Sequence, residues 1–67
     1  MKNILEELRK DKMISQEDLA NALSVSRQTI ISLEKGKYNP SILLAFKIAR
    51  YFDKAIEEIF MVEEGEI

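Results

Sequence analysis

The stretch "ISQEDLANALSVSRQTIISLEKGKYNPS", residues 14–41, decides how this chain folds. It holds two apolar sets at helical spacing, first Leu19, Ala20 and Leu23, then Ile30 and Leu33. The very short joint Ser24-Val25-Ser26 separates them. Ser15 is a good N-cap, and Asp18 three places on gives a short version of the capping box, so a helix is expected over about residues 16–23. Ser26 caps another over about residues 27–35, and Gly36 ends it as the residue just past the helix. Small Ala20 and Ala22 let a neighbouring helix approach closely.

Two short helices on so tight a joint must cross at a large angle, which is the helix-turn-helix arrangement. The second of them has two distinct faces. At about 100° per residue, Arg27, Gln28, Ile31, Ser32 and Lys35 share one arc. Thr29, Ile30 and Leu33 fill the other, with Glu34 at its border. The first arc carries side chains matched to base edges: arginine pairs bidentately with guanine, glutamine with adenine, and serine with either. Most of that set lies at the N-terminal end of the helix, where this motif docks in a major groove. Ile31 is the odd member, open to two readings: an ordinary exposed isoleucine, or an apolar contact to a thymine methyl. Just beyond the helix, Lys35, Lys37, Tyr38 and Asn39 suit phosphate contacts, which fix register without carrying sequence information. Residue type alone fits a solvated turn as well. Gly36-Lys37 is not a phosphate-binding P-loop, because the upstream glycine and the following Ser/Thr are missing.

Outward from this stretch the signals stay helical. Ile4, Leu5 and Leu8 predict a first helix over about residues 3–11, broken at Met13-Ile14-Ser15-Gln16. The Asn39-Pro40-Ser41 turn opens a fourth helix over about residues 41–52. That helix is apolar on most of its circumference, through Leu44, Ala45, Ile48, Ala49 and Phe52, with Lys47 and Arg50 on a narrow polar arc. Such a helix belongs at the centre of a core. Asp53 is expected to cap a short fifth helix, about residues 54–59, carrying Ile56 and Ile59. Phe60-Met61-Val62 reads as a brief strand or extended tail.

Sixty-seven residues make one domain, residues 1–67, with a core small enough that dimerisation would help it. Hydrophobic residues at 46% and charged residues at 33% describe a folded chain, not a disordered one. There is no cysteine and no histidine. That removes disulfides, thiol nucleophiles, the commonest general base and the commonest neutral metal ligand. The acidic pairs Glu57/Glu58 and Glu63/Glu64 are neighbours whose side chains point apart, so they read as solvated charge. No enzyme, cofactor, metal or small-molecule site is expected. No apolar run approaches the roughly 20 residues of a membrane span, and Met1-Lys2-Asn3 does not open a signal peptide, so the expected location is the cytoplasm.

The net charge of −2 argues at first sight against nucleic acid, but its distribution does not. Residues 1–50 hold nine Lys/Arg against six acids, whereas residues 51–67 hold Lys54 against six acids. This asymmetry predicts a basic working face with an acidic tail kept away from it.

On these residues the chain resembles the Cro/C1-type repressors, the xenobiotic-response-element family, and in particular its compact members of cytolysin-repressor type. The resemblance spans residues 3–60, and the string "SRQTI…EKGKYNPS" is its specific part. It implies a mainly all-α, five-helix fold with a short C-terminal strand. It also implies that Arg27, Gln28 and Ser32 read bases, with Ile31 in place of the small or polar residue expected there. Gln16 would bond a phosphate at the start of its helix, where the dipole favours the same anion. Thr29 falls where the family touches the backbone or a thymine methyl, and Tyr38 and Asn39 match the loop that grips the phosphates; Ser26, Lys35 and Lys37 complete the expected backbone-contacting set. Arg9 and Glu34 match a structural ion pair between the first and third helices. Compact members are dimers, and Ile56, Ile59, Phe60 and Val62 in the 54–67 region are the matching interface candidates.

The expected function is therefore a sequence-specific double-stranded DNA-binding regulator, a repressor acting as a homodimer on a near-palindromic operator. The alternative is a protein-interaction module on the same fold, such as an antitoxin or bridging factor gripping a partner through its acidic C-terminal segment.

Overall fold

The computed structural model describes residues 1–67. Five helices are framed by a two-stranded ribbon made from the two ends of the chain: β1 (Lys2–Asn3), α1 (Leu5–Asp11), α2 (Gln16–Leu23), α3 (Arg27–Glu34), α4 (Ile42–Phe52), α5 (Ile56–Ile59) and β2 (Phe60–Met61). No helix is long and apolar enough to cross a membrane.

Serine caps start three of the helices. Ser15 Oγ accepts the Asp18 N–H while the Asp18 carboxylate accepts the Ser15 N–H, a reciprocal box. Ser26 Oγ accepts from Thr29 N–H at 3.1 Å, and Ser41 Oγ accepts from Leu44 N–H at 3.1 Å. Left-handed residues end four of them. Gly36 (φ 72°) follows α3, while Met13, Ser24 and Asp53 take positive φ after α1, α2 and α4. Ser24 turns the chain sharply between α2 and α3, and Val25 N–H returns to the Ala20 carbonyl at 3.0 Å.

The core gathers apolar faces from every helix: Leu5 and Leu8 of α1, Leu19, Ala20 and Leu23 of α2, Ile30 and Leu33 of α3, Leu44, Ile48, Ala49 and Phe52 of α4, and Ile59 with Phe60 at the end. Each large side chain buried there contributes about 1.5–3 kcal/mol, enough to hold helices of seven or eight residues that would not persist alone in water.

Four details differ from the sequence reading. Residues 3 and 4 do not join the first helix. Asn3 pairs with Phe60 in the antiparallel ribbon, and Ile4 N–H donates to the Ile59 carbonyl at 3.0 Å. Asp53 does not cap α5: it is the left-handed C-cap of α4, a conformation aspartate tolerates, and Glu58 instead bonds the Ala55 N–H at 2.8 Å. The fifth helix is accordingly short, at Ile56–Ile59. Finally, α4 is not covered all round. Leu44, Ala45, Ile48, Ala49 and Phe52 are buried, but Ile42, Leu43 and Phe46 stand 76%, 64% and 49% exposed.

Candidate nucleic-acid interface

The exposed side of α3 carries Arg27 and Gln28 in its first turn, with Ser32 one turn on and Ile31 half-buried between them. The buried side carries Ile30 and Leu33, both fully enclosed. This division follows from the 3.6-residue period acting on an apolar pair spaced by three. Gln28 Nε2 lies 3.4 Å from Ser32 Oγ, a weak contact along the outer face that either partner can leave. Arg27, Lys35 and Lys37 form no ion pair. A shallow polar depression beside the helix is lined by Ser26, Gln28, Thr29, Ser32, Lys37 and Tyr38. The turn after α3 is thereby brought against the helix's N-terminal half.

The candidate backbone-contacting residues differ in how free they are. Lys35, Lys37, Tyr38 and Asn39 are exposed. The Ser26 and Thr29 hydroxyls lie 2.9 Å apart and bond each other, and Ser26 also serves as the cap, so any phosphate contact from them is shared with an internal one. Gln16 Nε2 donates to Glu34 Oε1 at 3.1 Å. A side-chain amide has two N–H donors, so this bond fixes its orientation and leaves the second for an outside acceptor.

Glu34 is the hub that ties α3 to the first two helices. Arg9 Nε donates to its Oε2 at 2.6 Å and Arg9 Nη2 to its Oε1 at 3.3 Å, and both side chains are nearly enclosed. Arg9 Nη1 donates to the Ile14 carbonyl at 2.9 Å, so the buried guanidinium is met on several sides. The hydrogen bond to Glu34 raises the Arg9 pKa above its already high ordinary value, outweighing the opposing effect of burial. Charge at this joint is paired and hydrogen-bonded, the condition under which burying it is tolerable.

A second attachment of α3 escaped the sequence reading. Asn3 Nδ2 donates to the Leu33 carbonyl at 2.8 Å, and Asn3 Oδ1 accepts the Leu5 N–H at 3.0 Å. Only the second bond has a local signal, an asparagine just ahead of an apolar helical run. The Met1 amino group lies 3.3 Å from the Gly36 carbonyl and 3.4 Å from the Glu66 carboxylate. The end of the acidic segment thus reaches the turn after α3 and is not wholly withdrawn from the basic face.

Of the expected interface candidates at the C-terminal end, Ile59 and Phe60 are spent in the core, at 0% and 5% exposure, Ile56 packs half-buried against it, and Val62 is exposed. The larger uncovered apolar surface is Ile42, Leu43 and Phe46 of α4. Lys47, Arg50 and Lys54 line the depressions around Phe46.

Residues 5–59 match the family model for the Helix-turn-helix. An uncharacterized HTH-type transcriptional regulator of Methanocaldococcus jannaschii is 58% identical over 66 residues, covering 98% of this chain and 100% of that protein. The cryptic phage CTXphi transcriptional repressor RstR of Vibrio cholerae is 29% identical over 63 residues, 94% of this chain and 57% of that protein. Among solved structures, the restriction-modification controller protein C.AhdI from Aeromonas hydrophila superposes with a TM-score of 0.73 at 36% identity, covering 84% of this chain and 85% of that one.

Proposed function

This chain belongs to the helix-turn-helix family of Cro/C1-type, DNA-binding transcriptional regulators, which are not enzymes, and from that premise we propose that it represses transcription by holding a near-palindromic operator as a homodimer. The observation that carries this reading is the exposed arc of α3. Arg27, Gln28 and Ser32 offer base-edge partners, with Ile31 beside them for a thymine methyl. Gln16, Ser26, Thr29, Lys35, Lys37, Tyr38 and Asn39 hold the phosphates that set the register. Repression follows from occupying promoter DNA, and the repressor RstR is a relative that acts under that name.

The proposed two-fold contact uses the face that α4 leaves bare, Ile42, Leu43 and Phe46, together with the C-terminal candidates Ile56 and Val62 that the core does not enclose. A second copy is the fitting occupant on grounds of charge. Lys47, Arg50 and Lys54 line the depressions around Phe46, beside Asp53 and Glu58, without ion pairs, and Glu57, Glu63 and Glu64 of the acidic segment are likewise unpaired. Two copies related by a two-fold axis would set their α3 helices in successive major grooves, about 34 Å apart.

Selection of bound sites from random duplexes at several salt concentrations tests this directly. Enrichment of a symmetric motif, with affinity falling steeply as salt rises, is the expected result. A flat salt slope with no motif would remove the reading in favour of a protein-interaction module.

A further inference from the structure

The last turn of α3 is held from two directions. Arg9 and Gln16 grip the Glu34 side chain laterally, from α1 and α2. The carbonyls of a helix's last turn point along its axis, and the Leu33 carbonyl is met there by Asn3 Nδ2 at 2.8 Å from β1, across 30 residues of sequence. Gly36 N–H reaches the same carbonyl at 3.0 Å, so both lone pairs are used.

Asn3 is itself over-determined. Its Oδ1 accepts the Leu5 N–H, and its backbone lies opposite Phe60 in the ribbon. A flipped amide would set N–H against N–H and oxygen against oxygen, so its partners fix its orientation. Met1, the residue just before β1, also packs directly on the turn after α3: a Cβ added at Gly36 would lie 3.2 Å from the Met1 carbonyl oxygen.

We infer that Asn3 is a positioning residue for DNA recognition, setting where the far end of α3 lies and hence the aim of Arg27, Gln28 and Ser32. The inference rests on the reading that α3 enters the groove. Base discrimination depends on bidentate geometry at base edges, whereas phosphate contacts tolerate displacement. Loss of the axial hold therefore degrades specificity before it degrades general affinity.

Asn3→Ser separates the two jobs of the side chain. Serine retains an acceptor for the Leu5 N–H but is too short to reach the Leu33 carbonyl, and it leaves the net charge unchanged. The measurement is the affinity of parent and variant for the selected operator and for a scrambled duplex, with thermal unfolding of both. The expected result is about a tenfold fall in the ratio of specific to non-specific affinity, of the order of one weakened base contact. Scrambled-duplex affinity and salt slope should stay within about twofold. Faster amide exchange at Gly36 and Lys37 than at α1 and α2 would accompany it.

An unchanged ratio in a parent that does discriminate overturns the inference alone. So does an equal loss on both duplexes that merely tracks a lost thermal transition. A parent with no preference for any duplex overturns the reading beneath it as well.

Discussion

Ile31 shares its arc of α3 with Arg27, Gln28 and Ser32 and is half-buried there, so in the proposed groove complex it would face a base methyl. Ile31→Ala should leave the protein folded and lower affinity several-fold for operators with thymine at the contacted position. The same operator carrying deoxyuridine, which lacks the methyl, should bind parent and variant alike. Equal affinities of parent and variant on the thymine site would remove this role. Single residues divide sharply in how much their sequence reveals. The helix face was readable because one period governs Arg27 through Glu34. The Arg9–Glu34 pair came only from the family resemblance, since 25 residues separate its members. The Asn3–Leu33 bond was out of reach, because no periodicity links residues 30 apart. Arg9 also fixes a pH expectation. Its folded pKa is raised, so its contribution is fully present below the ordinary arginine range and lost only above it. Across the neutral range the guanidinium therefore stays charged.

Helix ends were the most readable part of the elements wherever serine or glycine marked them. Ser15 and Ser26 cap as their sequence positions imply, and Ser41, read as part of the turn, caps α4 in the same way. Where a residue other than glycine takes the left-handed conformation at a helix end, as at Met13, Ser24 and Asp53, the stop carries no sequence mark. Asp53 shows why: aspartate is equally at home capping a helix start and turning a helix end. Gly36→Ala is the sharpest test of an element boundary. The φ of 72° and the 3.2 Å approach to the Met1 oxygen act together, so a loss of about 1–2 kcal/mol is expected. Thermal or urea unfolding reads this out, and a variant as stable as the parent would show that the turn relaxes freely.

At the scale of the molecule, the sequence predicted a core helix in α4 and did not reveal its bare side. Composition reports how apolar a helix is, while only the packing of four short neighbours reports how much of it they cover. Phe46→Glu places a charge in that patch, away from the core. It should yield a monomer with unchanged helix content, a melting point independent of concentration, and operator affinity reduced at least tenfold. Sedimentation alongside circular dichroism checks this, and a variant that remains dimeric would move the two-fold contact elsewhere. The end-to-end ribbon carries a consequence of another kind, one of order in time. Pairing β1 with β2 closes a loop over nearly the whole chain, which costs about 3–4 kcal/mol of chain entropy before any contact returns it. The helices, being local, assemble earlier, and two strands of two residues close the structure last and open first. On the proposed reading, a molecule with its ribbon open would lack the axial hold on α3, so on the way to its final form it would grip a phosphate backbone before it could tell one base from another.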